Sequence, residues 1–531
     1  MNIDVLGVVP IFVNAGAAIL PVILGALASA LALLLRPREL ARACRRRPGR
    51  AAMVLACVPA IWLAVGVMPG WLKGNARQRP DPCGQAARAA KVDWAVAAMG
   101  IIRAEQAGAV ASTTASLPAR EAQNVGLGRD FARGAYDGAG APLGLRLLWQ
   151  HVADDTMYLS SPAVVGGRVY GASCMLDVAG KYGSVLCLEA GAGKLIWETS
   201  AIGSDSLKPF FSSPAISKDG RSLVIGQGLH DDADCALLCL DTASGKCRWQ
   251  VKTPLHIEGS PAIWNDMVVA GAGAIEGADR KPAGHTGLVL AVRISDGATL
   301  WQYQLNDPES SPAIGDDGTV YIGSGFNGSA VVALRSESDE ELRRRDLPRL
   351  LWRTPAPHPV TGAVTLAGEL VIVGGGNGDY VWADPNPAGA VMALDRRTGQ
   401  VRWKTPLDDA VLGAVAAGEG KLICPVRSGE VAALDIQDGR ILWRQRVSGK
   451  APVLAGVALA GRCVYAVSKD GYLAVMDSDN GRLIEKHYLN LEAKPGQLGL
   501  TLSSPTVVGG RVYVGSETGG LQCLAGARMA Q

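Results

Sequence analysis

Aromatic side chains are scarce in this 531-residue chain, only 5% of it, and phenylalanine is almost missing with five copies; yet twelve of the aromatics are tryptophan. Large rings are therefore placed at a few anchor positions and not spread through a core. Charge is also sparse, at 19% with a formal net of +3, and it is uneven: Arg36 to Arg50 holds seven arginines against Glu39, so the rest of the chain is net negative. A nucleic-acid-binding protein needs its basic charge on a folded surface, which excludes that class. With 48% hydrophobic residues the chain is equally far from intrinsic disorder. The motifs of common chemistry are absent too. There is no CxxCH haem site, no pair of CxxC motifs for zinc, no GxSxG elbow, no Walker loop and no HExxH helix. His151, His230, His285 and His487 have no metal-ligand spacing and read as solvated or capped histidines.

Two stretches carry no charged side chain, Val5 to Leu35 and Ala51 to Leu72, one on each side of the arginine cluster. Both are long enough to span a bilayer. Only Asp4 precedes the first, where a cleavable signal would need a basic start, so the pair reads as a retained helical hairpin. The positive-inside rule holds the arginine loop in the cytoplasm and puts everything after Trp71 outside, on the periplasmic or extracellular side of a bacterial inner membrane. Residues 76–144, alanine-rich and then rich in Ser, Thr and Gly, read as a partly helical spacer. Of the nine cysteines outside the hairpin, Cys187 and Cys239 fall in apolar runs as buried hydrophobes, while Cys174 and Cys235 lie in loops of neighbouring repeats and could pair.

The remainder is repetitive. A unit recurs eight times, opening on a Ser-Ser-Pro-Ala phrase (Ser160, Ser212, Gly259, Ser310 and Ser503 begin the clear copies; Gly362, Gly413 and Gly456 mark divergent ones) followed by a Gly turn and a Val/Ile/Tyr run. Each unit continues as apolar-x-Asp-x-x-x-Gly-x-x-x-Trp, cleanest at Ala393 to Trp403; in the seventh, Glu485 replaces the tryptophan. A period of about 40 to 50 residues points to a propeller. Each unit reads as four strands, with the Gly turn at positive φ and the Trp plugging adjacent sheets. The last repeat stops after its third strand at Cys523, while an orphan strand, Leu145 to Trp149, precedes the first. Pairing the two closes an all-β ring of eight four-stranded blades over residues 145–527 and removes two exposed edges.

The Trp-ending phrase, seen this often, closely resembles the tryptophan-docking motif of the pyrroloquinoline-quinone-type (PQQ-like) β-propellers. That superfamily implies one of two activities. Quinoprotein alcohol dehydrogenases oxidise alcohols or sugars with the quinone and Ca²⁺; non-enzymatic members, such as the lipoprotein of the outer-membrane assembly machinery, act as scaffolds for protein partners in the cell envelope. The dehydrogenase resemblance implies a Ca²⁺ site at Glu276 and Asn377 and a catalytic carboxylate at Asp408 or Asp409, but the adjacent-cysteine pair of those enzymes is absent here and the two calcium positions are two blades apart.

A site would be expected on the face carrying the long second-to-third-strand loops, 226–236, 271–287 and 374–390, in blades 2, 3 and 5. Blade 4 instead extends its third-to-fourth-strand loop, 336–349, as a charged helix on the opposite face. Five residues before the start of four successive blades stand His256, Asp307, His358 and Asp409, with Glu258 and Glu309 two residues further on. Converging at the channel mouth, such groups suit a cation or a pH-sensitive contact. The leading reading is a membrane-tethered, extracytoplasmic binding or assembly scaffold with no cofactor assigned; a PQQ- and Ca²⁺-dependent oxidoreductase is the alternative.

Overall fold

The computed structural model describes residues 140–530 apart from 178–179, 274–286, 327 and 494–498. The expected hairpin and nearly all of the spacer lie outside these residues, as does Glu276. Among the described residues no helix is long and apolar enough to cross a membrane.

Eight four-stranded sheets succeed one another along the chain, each antiparallel and in sequence order except the last. The innermost strands of successive sheets touch, and that of the last sheet touches that of the first, so the blades form a ring. The ring closes as the orphan strand demands, but over a longer stretch than the apolar pattern marks. Ala141–His151 pairs antiparallel with Leu521–Ala530, from Ala141 opposite Ala530 to His151 opposite Leu521. The propeller therefore begins a few residues before Leu145 and ends three after 527, because the two strands keep pairing where neither sequence alternates cleanly.

Burial follows position in the blade. In blade 5 the third strand, Gly389–Asp395, is buried along its whole length, since neighbouring sheets cover both faces. Fourth strands are outermost and alternate: in Cys247–Thr253, Trp249 is buried between exposed Arg248 and Gln250. One register shift recurs just after each fourth-strand Trp pairs with the third strand, as between Ala393 and Leu394. Such a bulge lets the strand swing the indole toward the next blade.

Each fourth-strand tryptophan joins two blades. The indole N–H of Trp149 donates to Ala190 O of the next blade (3.0 Å), Trp249 to Ile294 O (2.8 Å), Trp403 to Ile436 O (3.0 Å) and Trp443 to Ser478 O (2.9 Å). The ring lies on the Gly of that next blade's Asp-x-x-x-Gly turn. Gly297 sits at φ +74°, and a Cβ there would come within 2.8 Å of Trp249. Glycine thus meets two demands at once, left-handed backbone and contact with an indole face. Replacing one such buried Trp by Ala costs about 3–5 kcal/mol.

Blade 4 breaks this pattern in an instructive way. Its insertion forms a helix, Asp339–Arg344, capped by the Ser338 hydroxyl accepting from Glu341 N (3.2 Å). Trp301 here packs under the Arg349 guanidinium, 4.5 Å from the ring centroid, in place of a glycine.

Candidate binding site at the channel mouth

The second residue of the repeat-opening phrase faces the channel. In five blades it is a serine, and its hydroxyl accepts the backbone N–H of the equivalent residue one blade earlier: Ser504 N to Ser161 (2.8 Å), Ser161 N to Ser213 (2.9 Å), Ser213 N to Ser260 (3.0 Å), Ser260 N to Ser311 (2.9 Å) and Gly456 N to Ser504 (2.8 Å). This belt satisfies main-chain donors that a channel would otherwise leave without partners. Where the position is glycine, as at Gly456, the ring is tighter: a Cβ there would come within 2.9 Å of the Ser504 hydroxyl and 3.0 Å of the Ala414 Cβ. Above the belt lies an opening of about 630 Å³, solvent-open part included, lined by these serines, by Glu258 and Glu309, and by apolar groups including Leu159, Phe211, Tyr380 and Leu502.

One side of the opening is roofed by the blade 5 loop. Asn377 pins the base of that loop, its Oδ1 accepting Ala388 N (2.8 Å) and its Nδ2 donating to Asn386 O (2.9 Å). Arg427 Nε donates to Asp379 O (2.9 Å) and Lys469 Nζ to Tyr380 O (3.1 Å), so two other blades clamp the turn. Tyr380 then reaches over the mouth. Its hydroxyl donates to Leu412 O (3.0 Å), and its ring meets Phe211, from the blade 1–2 connection, edge-on at 4.8 Å and 67°. Burial raises the Tyr380 phenol far above its usual range, with Glu258 and Glu309 adding to the effect. The next two side chains point outward: Val381 is 66% exposed and Trp382 40%.

The His/Asp column is dealt out to separate places. His256 is fully buried behind the mouth, its Nε2 2.7 Å from Glu309 Oε1 of the following blade. Asp307 holds a left-handed backbone (φ 49°) and accepts Phe326 N through Oδ2 (2.8 Å). His358 stands in a separate small crevice with Pro357, Val360 and Met392, and burial lowers its pKa. Asp409 is buried, its Oδ2 3.9 Å from Arg427 Nη1; desolvation raises its pKa, opposed by the Ala410 N–H and by Arg427. Only Glu258 and Glu309 of the six line the opening. Glu258 accepts His230 N (2.6 Å) and lies 3.7 Å from His230 Nδ1, and it is the largest cause of raising that imidazole to about 9.

The quinone and calcium of the dehydrogenase resemblance find no fit among the described residues. Asn377 spends both amide atoms on its own loop. Asp408 points outward, 2.6 Å from Arg444, and Asp409 faces Arg427. No group of three His, Cys, Asp or Glu side chains among the described residues is arranged to hold a metal ion. Cys174 and Cys235 are separate buried thiols, each pushed up to about 12 by desolvation.

Residues 144–384 and 387–528 match the PQQ_2 family, described as outer membrane protein assembly factor BamB. The chain belongs to this PQQ_2 family. A BamB of Burkholderia pseudomallei is 24% identical over 381 residues, 68% of this chain and 83% of that protein. One from Yersinia pestis is 24% identical over 64% of this chain and 79% of its own length. Among solved structures, BamB from Moraxella catarrhalis superposes with a TM-score of 0.52 at 16% identity, covering 72% of this chain and 99% of that one. The quinohemoprotein alcohol dehydrogenase from Comamonas testosteroni gives 0.51 at 16%, covering 73% and 78%. At these identities the two structures share the fold with this chain, and their TM-scores of 0.52 and 0.51 do not separate them. Sequence reasoning singled out the face with the long loops but passed over Tyr380, Trp382, Arg427 and Lys469. A signal was available, since Tyr380 and Trp382 are two aromatics in a polar loop of an aromatic-poor chain, and neither ends a repeat.

Proposed function

We propose that this chain is an envelope docking scaffold, related in role to the assembly factors it resembles, whose loop face binds protein partners. The carrying observation is the Val381–Trp382 pair. Among the described residues Trp382 is the one tryptophan with an exposed ring, and it sits on a loop clamped by Arg427 and Lys469 from two other blades. A preordered aromatic at low entropic cost is what a binding hot spot requires. The relatives' name ties them to outer-membrane assembly, and an extracytoplasmic propeller has access to such partners. A photo-crosslinker at position 382, used in intact cells, should capture envelope assembly proteins, and Val381→Ser with Trp382→Ser should abolish capture. Recovery of no envelope protein, or capture unaffected by the double substitution, would remove the proposal.

The reading also includes a tether: residues 1–75 as two membrane-spanning helices of the inner membrane, then a spacer up to 140, with the propeller outside the cytoplasm. Seven arginines between the two apolar segments support that direction. An alkaline phosphatase fusion after residue 80 should be active and one after residue 45 inactive; the reverse pattern refutes the topology.

A further inference from the structure

Ten large hydrophobic side chains stand exposed among the described residues, and six of them fall in one sector of the ring. Leu483 and Tyr488 lie on the outer strand of blade 7, and Ile196 on that of blade 1. Between them, blade 8 exposes Leu147 and Leu148 on its outer strand and Met529 on the strand beside it. The outer strands of blades 2, 3 and 6 expose none, and those of blades 4 and 5 one each, Leu351 and Val401. Single exposed leucines are ordinary, whereas a run of them over three successive blades marks a surface that something covers.

Blade 8, at the centre of this sector, departs from the others in two ways. Its outer strand runs for 11 residues, where those of the other seven blades run for 5 to 7. Its two outer strands also hold Arg146 and Arg528 and no acidic residue. Both arginines are exposed, and neither has an ion-pair partner among the described residues. In blades 2, 5 and 6 the outer-strand arginines are matched: Arg248 lies 2.6 Å from Asp241, Arg444 2.6 Å from Asp408, and Arg402 pairs with Asp395. Arg248 and Arg402 hold the position just before the tryptophan, which in blade 8 is Leu148.

We infer that the outer wall centred on blade 8 rests on the surface of an anionic lipid bilayer. This rests on the tether reading and extends it, because the chain coming from the two apolar segments enters the propeller at Ala141, the first residue of the strand that carries Leu147 and Leu148. Leucine and methionine entering the headgroup boundary, with arginine at the phosphates and tyrosine at the same level, make up interfacial binding. So few side chains bind weakly by themselves. A tether makes the contact intramolecular, and weak affinity then suffices. A second copy of the chain is a poorer match, since a twofold interface would bring these arginines together with no acidic counterpart. A ring standing on blade 8 has its channel axis along the membrane plane, which leaves the loop face with Trp382 open to partners.

The test places the full-length protein in vesicles of phosphatidylethanolamine and phosphatidylglycerol that carry a nitroxide quencher near the lipid headgroup. An environment-sensitive fluorescent amino acid is introduced at one position at a time. Leu148 and Leu351 are a matched pair: each precedes the tryptophan of its outer strand, at 40% and 39% exposure, on opposite sides of the eight-bladed ring. The quencher should remove at least about half of the emission at 148 and at 529 and leave that at 351 unchanged. With Arg146→Gln, Leu147→Ser and Leu148→Ser together, emission at 529 should recover to the level at 351, with the melting temperature unchanged because the three side chains are exposed. Equal quenching at 148 and 351, or quenching at 529 that survives the triple substitution, overturns the inference. A dimer that the same substitutions dissociate would assign the wall to a second copy and overturn it as well. Flotation reads the tether separately. Protein that floats with the vesicles without preferential quenching at 148 loses the wall and keeps the tether, whereas flotation abolished by the triple substitution loses the tether and keeps the wall.

Discussion

Glu485 accepts a hydrogen bond from the backbone N–H of Gly144 at 2.9 Å, across 341 residues of sequence. A second oxygen of the same carboxylate accepts Leu145 N at 3.1 Å. This is the seam of the ring, between blade 7 and the strand that completes blade 8. Here the repeat's tryptophan is replaced by a carboxylate because the neighbour to be gripped is an incoming strand with free N–H groups, where other blades present a glycine turn with a carbonyl. Hydrogen bonds to a charged acceptor contribute about 1.5–3 kcal/mol. Glu485→Ala should therefore lower stability by roughly that amount, and thermal unfolding should show it. An unchanged melting temperature would mean that the strand pairing alone carries the seam.

Closure itself can be tested by truncation. Removing residues 1–140 leaves Ala141–His151 to cover Leu521–Ala530, and a soluble ring is expected. Removing residues 1–151 strips that cover and bares two sheet edges, so aggregation should follow. Sedimentation of the two truncations decides it, and equal solubility would contradict the observed pairing.

A matched pair of glycines separates backbone strain from contact with the indole. Gly297 and Gly420 share φ +74°, but a Cβ on Gly420 meets nothing within 4 Å, while one on Gly297 meets Trp249 at 2.8 Å. Gly420→Ala should cost about 1–2 kcal/mol for the left-handed conformation alone. Gly297→Ala should cost about 1–3 kcal/mol more, through the displaced indole. Urea unfolding of the two variants gives the difference, and equal losses would show that Trp249 shifts without penalty.

His230 offers a pH test. Its imidazole is raised to about 9, first by the Glu258 carboxylate, then opposed by burial and supported by the charges of Glu309 and Asp231. Because the folded value lies above the unfolded one near 6.5, the contribution to stability is complete below about 6.5 and is lost as pH rises through about 9. The side chain is 54% exposed, so solvent screening keeps that contribution small. An NMR titration should find the midpoint near 9 in the wild type and close to about 6.5 in Glu258→Gln. A wild-type midpoint near about 6.5 would show that the Glu258 contact is not made in solution.

Much of this architecture is written in single residues. The Trp in every fourth strand but the seventh, the Gly of the Asp-x-x-x-Gly turns and the orphan strand before the first repeat announce the blades, their number and the closure. They are legible because each blade uses the same local chemistry, and because periodic burial leaves a periodic pattern. The place of Glu485 at the seam is legible as an exception to that pattern, though its purpose is not.

The site was decided by tertiary structure. His256, Asp307, His358 and Asp409 hold equivalent positions in the repeat, and equivalence in sequence suggested one common destination. In the fold each side chain answers to its own neighbours: Glu309 for His256, Phe326 N for Asp307, an apolar crevice for His358 and Arg427 for Asp409. Repeat spacing determines where a backbone position lies around the ring. Which way a side chain turns is set by loops that do not repeat, and the loop carrying Tyr380 crosses the mouth to reach Phe211, a contact between residues far apart in the chain that no periodicity encodes.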